Sequence, residues 1–225
     1  MNTLLLKSVG EIASESPEKI EIFKKYNIDF CCGGNKTLKE ACEESGIDAT
    51  LIAGEFNAVS EYGGGKNKNY IFSRKANDWN VDFLIDYIVN IHHTFLRVRL
   101  PEAEEYTEKI NRVHGERHPE IIKIRGLFLK MYQALTVHLD KEEKEFFPLI
   151  KNMKASEIQK EINDAERDHE YVGHILKEMH ALSSGYSVPK DACASYSHTY
   201  GLLRDIADDI MIHVHLENNI LFKKI

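Results

Sequence analysis

The chain has 225 residues, 43% of them apolar and 29% charged, with only 5 Pro and 13 Gly. That mixture excludes collagen-like, low-complexity and wholly disordered chains, and it leaves room for one large domain or an ordinary domain with a small companion. The net charge of −7 argues against nucleic acid as a partner, because phosphate binding needs a basic face.

No apolar run approaches the roughly 18–20 residues of a membrane helix. The best candidate, Phe83 to Ile91, is short and interrupted by Asp86. Met1 to Lys7 has no basic n-region and does not read as a signal peptide, so a cytoplasmic protein without a membrane association is expected. Four Cys are too few for a disulfide scaffold, and two of them, Cys31 and Cys32, are adjacent. Eleven His are many for this length, and their placement carries most of the information.

Residues 1–57 read as short helices. Ser16-Pro17 is a helix start, with Ser as N-cap and Pro at the first helical position. Asn27 ends that segment, and Asp29-Phe-Cys-Cys-Gly-Gly34 is a turn. Thr37 and Glu40 have capping-box spacing, Gly46 closes that helix and Asp48 caps a third. So few residues build only a marginal core, so this part is expected to lean on the rest of the chain. Gly63-Gly64-Gly65 and the Lys/Asn cluster after it mark a flexible linker, placed at 58–77.

Residues 78–225 hold four long helical patterns, at about 78–103, 119–152, 156–183 and 190–222 by their periodicity. No stretch alternates with period two. The expected fold class is all-α: a small N-terminal helical domain followed by an antiparallel four-helix bundle.

The inward seams of this bundle are interrupted by polar residues. The second pattern runs Ile124, Phe128, Met131, Leu135, His138, Glu142, Leu149. The third runs Ile158, Ile162, Ala165, His169, Val172, Leu176, Met179. The fourth runs Tyr196, Leu203, Ile206, Ile210, His213, Glu217, Ile220. Seam positions ordinarily carry Leu, Ile or Val. Four residues is about one helical turn, so His138 shares a face with Glu142, and His213 with Glu217. The first pattern has two apolar stripes: Leu84, Ile88, Ile91, Phe95, Val98, and Ile85, Val89, Leu96, Leu100. His93 falls on the second stripe and His92 lies between the two, so periodicity leaves both open.

Burying an imidazole or carboxylate without partners costs several kcal/mol. A lone core histidine is usually a hydrogen-bonded structural residue, but His-x-x-x-Glu twice plus further seam histidines calls for a shared partner. The reading is a dinuclear metal site. Mixed imidazole–carboxylate donors suit iron or manganese better than magnesium or calcium, and structural zinc would usually recruit Cys, which these seams lack. His114, His118, His174, His180, His198 and His215 read as solvated or packing residues.

These residues resemble a known family. The bundle half looks like a hemerythrin-like domain, and Tyr26-Asn-Ile-Asp-Phe-Cys-Cys-Gly-Gly34 is similar to the short domain preceding it in the repair-of-iron-centres (RIC) family. The resemblance rests also on His-His followed by Leu-Pro-Glu at 100–102, on His138-Leu-Asp-Lys-Glu-Glu-Lys-Glu-Phe-Phe-Pro148, on Asp168-His-Glu170 and on His213-Val-His-Leu-Glu-Asn-Asn219. It spans essentially the whole chain. It implies a ligand eight residues before Pro101, which selects His93, and His138, Glu142, His169, His213 and Glu217 as the others. It implies two iron ions per chain, oxo- or hydroxo-bridged, with both glutamates bridging and two His on each iron. One departure is Ala134, where family members can carry an acidic residue.

The function implied is repair of iron–sulfur clusters damaged by nitrosative or oxidative stress, by donating iron, with damaged cluster proteins as partners. The alternatives are a sensor or carrier of nitric oxide or dioxygen, and an enzyme that reduces nitric oxide. A simple oxygen carrier has no need of the Cys-Cys-Gly-Gly turn. Cys31 and Cys32 are therefore the candidates for a thiol or iron-transfer role, against the plainer reading of free Cys as small hydrophobes. Cys42 and Cys193 read as structural. Whether the chain forms a homodimer is left open.

Overall fold

A computed structural model describes residues 2–61, 76–151 and 155–225, and among them every regular element is a helix. The fold class is the one expected, short helices first and long ones after. Contacts divide the chain into two compact units, Met1–Leu84 with Ile212–Ile225, and Ile85–Met211. Of the linker placed at 58–77, residues 62–75 lie outside the described residues.

The first unit begins with α1 (Asn2–Leu5) and α2 (Val9–Glu15). The Ser8 side chain accepts from the Glu11 N–H at 3.1 Å and so caps α2. Ser16 makes no side-chain cap, because Pro17–Lys19 forms a single 3₁₀ turn that leads into α3 (Ile20–Lys25). Asn27, at φ +52°, turns the chain out of that helix. The capping box forms as its spacing requires: the Glu40 N–H donates to Thr37 Oγ1 at 3.2 Å, and the Thr37 N–H donates to Glu40 Oε2 at 2.8 Å. A cap of this kind contributes about 1 kcal/mol. It opens α4 (Leu38–Ser45), which Gly46 closes at φ +66°. Asp48 Oδ1 accepts from the Thr50 N–H at 2.8 Å at the start of α5 (Ala49–Glu61).

The core of this unit centres on Phe23, 5.5 Å from Phe56 edge-on and 6.0 Å from Phe30. It continues into the C-terminal segment, where the Phe30 ring meets His215 at 5.7 Å and Leu216, Ile220 and Leu221 are buried. The small N-terminal core is thus completed by residues nearly two hundred positions later in the chain, as its marginal size requires.

Helix α6 (Val81–Tyr87) passes through one π-helical turn, Ile88–His93, into α7 (Thr94–His114). Next come α8 (Pro119–Lys141), a π turn over Glu142–Phe146 and α9 (Phe147–Lys151). Then come α10 (Ala155–Leu182) and α11 (Ala194–Leu216), which ends in a third π turn, Glu217–Leu221. Within the second unit α7 packs on α8, and α8 on α10.

A π turn holds one more residue than an α turn, so the inward face moves by one position. This resolves the two stripes that run from α6 into α7. The stripe of Leu84 and Ile88 is buried up to the π turn, after which burial resumes at His92, His93, Leu96 and Leu100, while Ile91 and Val98 are 48% and 61% exposed. The turn at Glu142–Phe146 acts likewise: the seam expected at Leu149 is taken by buried Ile150.

Candidate metal centre

Five side chains singled out by the seams, His138, Glu142, His169, His213 and Glu217, are buried with His93, which the family resemblance selected, and none of the six is more than 4% exposed. Three of them stand at π turns. His93 ends the first, Glu142 opens the second and Glu217 opens the third. Inserted residues of this kind are frequent at functional sites, because they re-aim a side chain that a regular helix would carry elsewhere.

Glu142 faces two histidines with different oxygens. Its Oε1 lies 3.3 Å from His138 Nε2, and its Oε2 lies 3.4 Å from His93 Nε2. His138 and His169 bring their Nε2 atoms to 3.0 Å. His213 Nε2 lies 3.1 Å from Glu217 Oε1. The donor atoms fall into two sets, each within 4.8 Å throughout: His93, Glu142, His213, Glu217, and His138, Glu142, His169, Glu217. Each set holds two His, and the two sets share both glutamates.

The outer nitrogens of two of these rings are held by carboxylates that the seams did not reveal. His93 Nδ1 lies 2.9 Å from Glu143 Oε1, and His138 Nδ1 lies 3.3 Å from Asp168 Oδ2. A carboxylate on Nδ1 fixes the tautomer that leaves Nε2 free to bind a metal. Burial pushes the Glu143 carboxyl up, but hydrogen bonds from His93 and Arg97 outweigh it and hold the group below its ordinary value. Asp168 is likewise held low, chiefly by its bond to His138. Both acids adjoin a ligand candidate in sequence, Glu143 after Glu142 and Asp168 before His169, and that adjacency was the available signal.

The donor set fits a pair of divalent or trivalent transition-metal ions. Two buried carboxylates can each span two cations, and imidazole with carboxylate is a donor mixture suited to iron. Two imidazole nitrogens 3.0 Å apart subtend about 90° at a metal with bonds near 2.1 Å, an angle that suits octahedral coordination. His92, the other histidine left open by periodicity, turns its Nδ1 to Asp209 at 2.9 Å and stands in neither set.

Other singled-out residues lie outside the two sets. His215 is buried and its pKa falls to about 4, chiefly through burial. His114 is buried with Nε2 3.2 Å from Cys193 Sγ. The Gly-flanked turn does not expose Cys31, which is 7% accessible, whereas Cys32 is half-buried. A hydrogen bond with Cys32, burial and the nearby Asp29 hold the Cys31 thiol well above its ordinary pKa. Asn219 packs against this loop and donates from Nδ2 to the carbonyls of Phe30 and Cys31, both at 3.2 Å.

Comparison with known proteins agrees with this arrangement. The family model for the hemerythrin HHE cation-binding domain matches residues 84–225, so the bundle is of the hemerythrin cation-binding class. A model described as a domain of unknown function, DUF542, matches residues 5–60. The iron-sulfur cluster repair protein ScdA of Staphylococcus epidermidis is 32% identical over 222 residues, 96% of each chain. The iron-sulfur cluster repair protein YtfE of Cronobacter sakazakii is 31% identical over 220 residues, 96% of this chain and 94% of the relative. A probable iron-sulfur cluster repair protein of Haemophilus influenzae is 30% identical over 220 residues, 97% and 96% of the two chains. The chain belongs to the iron–sulfur cluster repair family.

Proposed function

We propose that the protein holds two iron ions in its bundle and donates iron to iron–sulfur clusters damaged by nitrosative or oxidative stress. The observation that carries this is the pair of donor sets that share Glu142 and Glu217. His93 and His213 would hold one ion, and His138 and His169 the other. Glu142 and Glu217, which stand in both sets, would be held in common by the two ions. The bound irons supply the metal for delivery. The chain's own residues do the rest: Glu143 and Asp168 orient the imidazoles, and the buried carboxylates offset the charge of the cations.

The partners are damaged iron–sulfur proteins. Among the described residues no helix is long and apolar enough to cross a membrane. The test is transfer of labelled iron from the purified protein to a cluster protein damaged by nitric oxide, with the iron left behind counted. Loss of iron in proportion to clients repaired supports donation. Repair with the bundle iron fully retained contradicts it.

A further inference from the structure

Away from the bundle ligands, the Cys-Cys-Gly-Gly turn gathers three donors of its own. Asp29, Cys31 and Cys32 bring ligand atoms within 4.8 Å of one another. We propose that these three side chains form a second, single-ion site for a thiophilic divalent cation. Iron(II) is the cation that the repair reading supplies, and the inference rests on that reading only for the identity of the ion.

The distances are those that a tetrahedral ion demands. With metal–sulfur bonds near 2.3 Å and metal–oxygen bonds near 2.0 Å, tetrahedral geometry sets sulfur to sulfur at about 3.8 Å and sulfur to oxygen at about 3.5 Å. The two Sγ atoms are 3.9 Å apart, and Cys31 Sγ lies 3.3 Å from Asp29 Oδ1. Adjacent cysteines on a regular helix or strand point apart. Here the turn brings both sulfurs to one side.

The loop is held in that shape by backbone hydrogen bonds as well as by the approach of the donors. Asp29 Oδ1 accepts from the N–H of Cys31 at 3.2 Å and of Gly33 at 3.0 Å. Asn219 grips the Phe30 and Cys31 carbonyls from the other side. The Gly10 N–H donates to the Gly34 carbonyl at 2.9 Å, and a Cβ on Gly34 would collide with the Asn219 side chain. Ligands fixed before the ion arrives bind it with less ordering cost.

Three protein donors complete only three-quarters of a tetrahedron, so an outside ligand can take the fourth position, which is how exchangeable sites differ from closed structural ones. Binding replaces the protons of the two thiols with one cation and releases those protons to solvent; no electron moves. Two thiolates and a carboxylate leave the bound unit with one negative charge, suited to handing a cation on to a more thiolate-rich acceptor. The site is therefore a transfer station for iron.

Cobalt(II) titration of the full-length protein tests this, with cobalt standing in for iron(II). A sulfur-to-cobalt charge-transfer band reports thiolate ligation alone, since the bundle donors contain no sulfur, so the readout is independent of what the bundle holds. The expected result is a band that saturates at one cobalt per chain, halved in Cys32→Ser and absent in Cys31→Ser with Cys32→Ser. Asp29→Asn, which keeps the hydrogen bonds of the loop, should weaken cobalt binding by more than the roughly tenfold that an outer partner is worth. Cys42→Ser and Cys193→Ser should leave the band unchanged. No band in the parent protein, a band that survives the double variant, or unchanged affinity in Asp29→Asn overturns the site. None of these outcomes bears on bundle iron, which the iron count reads separately.

Discussion

His138 and His169 bring their Nε2 atoms to 3.0 Å inside the helical core. Neutral imidazoles can share one hydrogen bond across that gap, but the Nδ1 of His138 already meets Asp168, and Glu142 Oε1 crowds the same Nε2 at 3.3 Å. Two imidazole nitrogens and a carboxylate oxygen thus converge on one point, the arrangement expected of ligands to a shared cation.

Glu142→Gln keeps the volume of the side chain shared by the two donor sets and removes its charge. Because Glu142 stands in both donor sets, both irons should weaken together, and the purified variant should contain well under one iron per chain. Metal analysis with visible spectroscopy checks this. Two irons with an unchanged spectrum would end the bridging role.

Asp168→Asn and Glu143→Gln should leave the ligands in place and loosen them. Outer partners of metal-bound histidines are worth about 10–100-fold in metal affinity. Competition with a chelator should show a loss of that size in each variant, with iron stoichiometry preserved at saturation. Unchanged chelator curves would reduce the two acids to surface residues.

His118 offers a pH test remote from the metals. Hydrogen bonds with Asp191 at 3.1 Å and Glu120 at 3.1 Å raise its pKa above the ordinary 6.5, the Asp191 bond most. A raised folded pKa means that the stabilisation is complete below about 6.5 and is lost as pH rises through the folded value. Asp191→Asn should therefore lower stability at acidic pH and converge with the parent at alkaline pH. Urea unfolding across that window, with the His118 ring followed by NMR, measures it.

Gly34→Ala probes the grip of Asn219 on the cysteine loop. The three atoms nearest to a new Cβ all belong to Asn219, so overpacking should cost about 1–3 kcal/mol. With Asn219→Ala in the background that clash disappears, and a double-mutant cycle should show coupling of about 0.5–3 kcal/mol. Additive costs would mean that the loop and the π turn are energetically separate.

Much of this was legible in the sequence. The seam spacing put His138, Glu142, His169, His213 and Glu217 on inward faces, and all five are buried, since four-residue spacing on a helix is a local property. The capping box at Thr37 and the αL closure at Gly46 were readable because they are local. The π turns were not: an i to i+5 bond has no residue signature, and one inserted residue moved the inward face from Leu149 to Ile150, and another joined the two stripes that run from α6 into α7. Only the resemblance to family motifs separated His93 from His92. The burial of Cys31 was equally hidden, since it depends on Asn219, 188 positions away.

The di-iron reading is tested most directly by counting metal in the full-length protein and in His138→Ala with His213→Ala, both from iron-replete cells. Each donor set loses one of its two histidines in that variant. The parent should carry about two irons per chain in a single coupled centre, as Mössbauer spectroscopy would read it. The variant should carry almost none. A parent that holds only zinc, or a variant that keeps both irons, would contradict it.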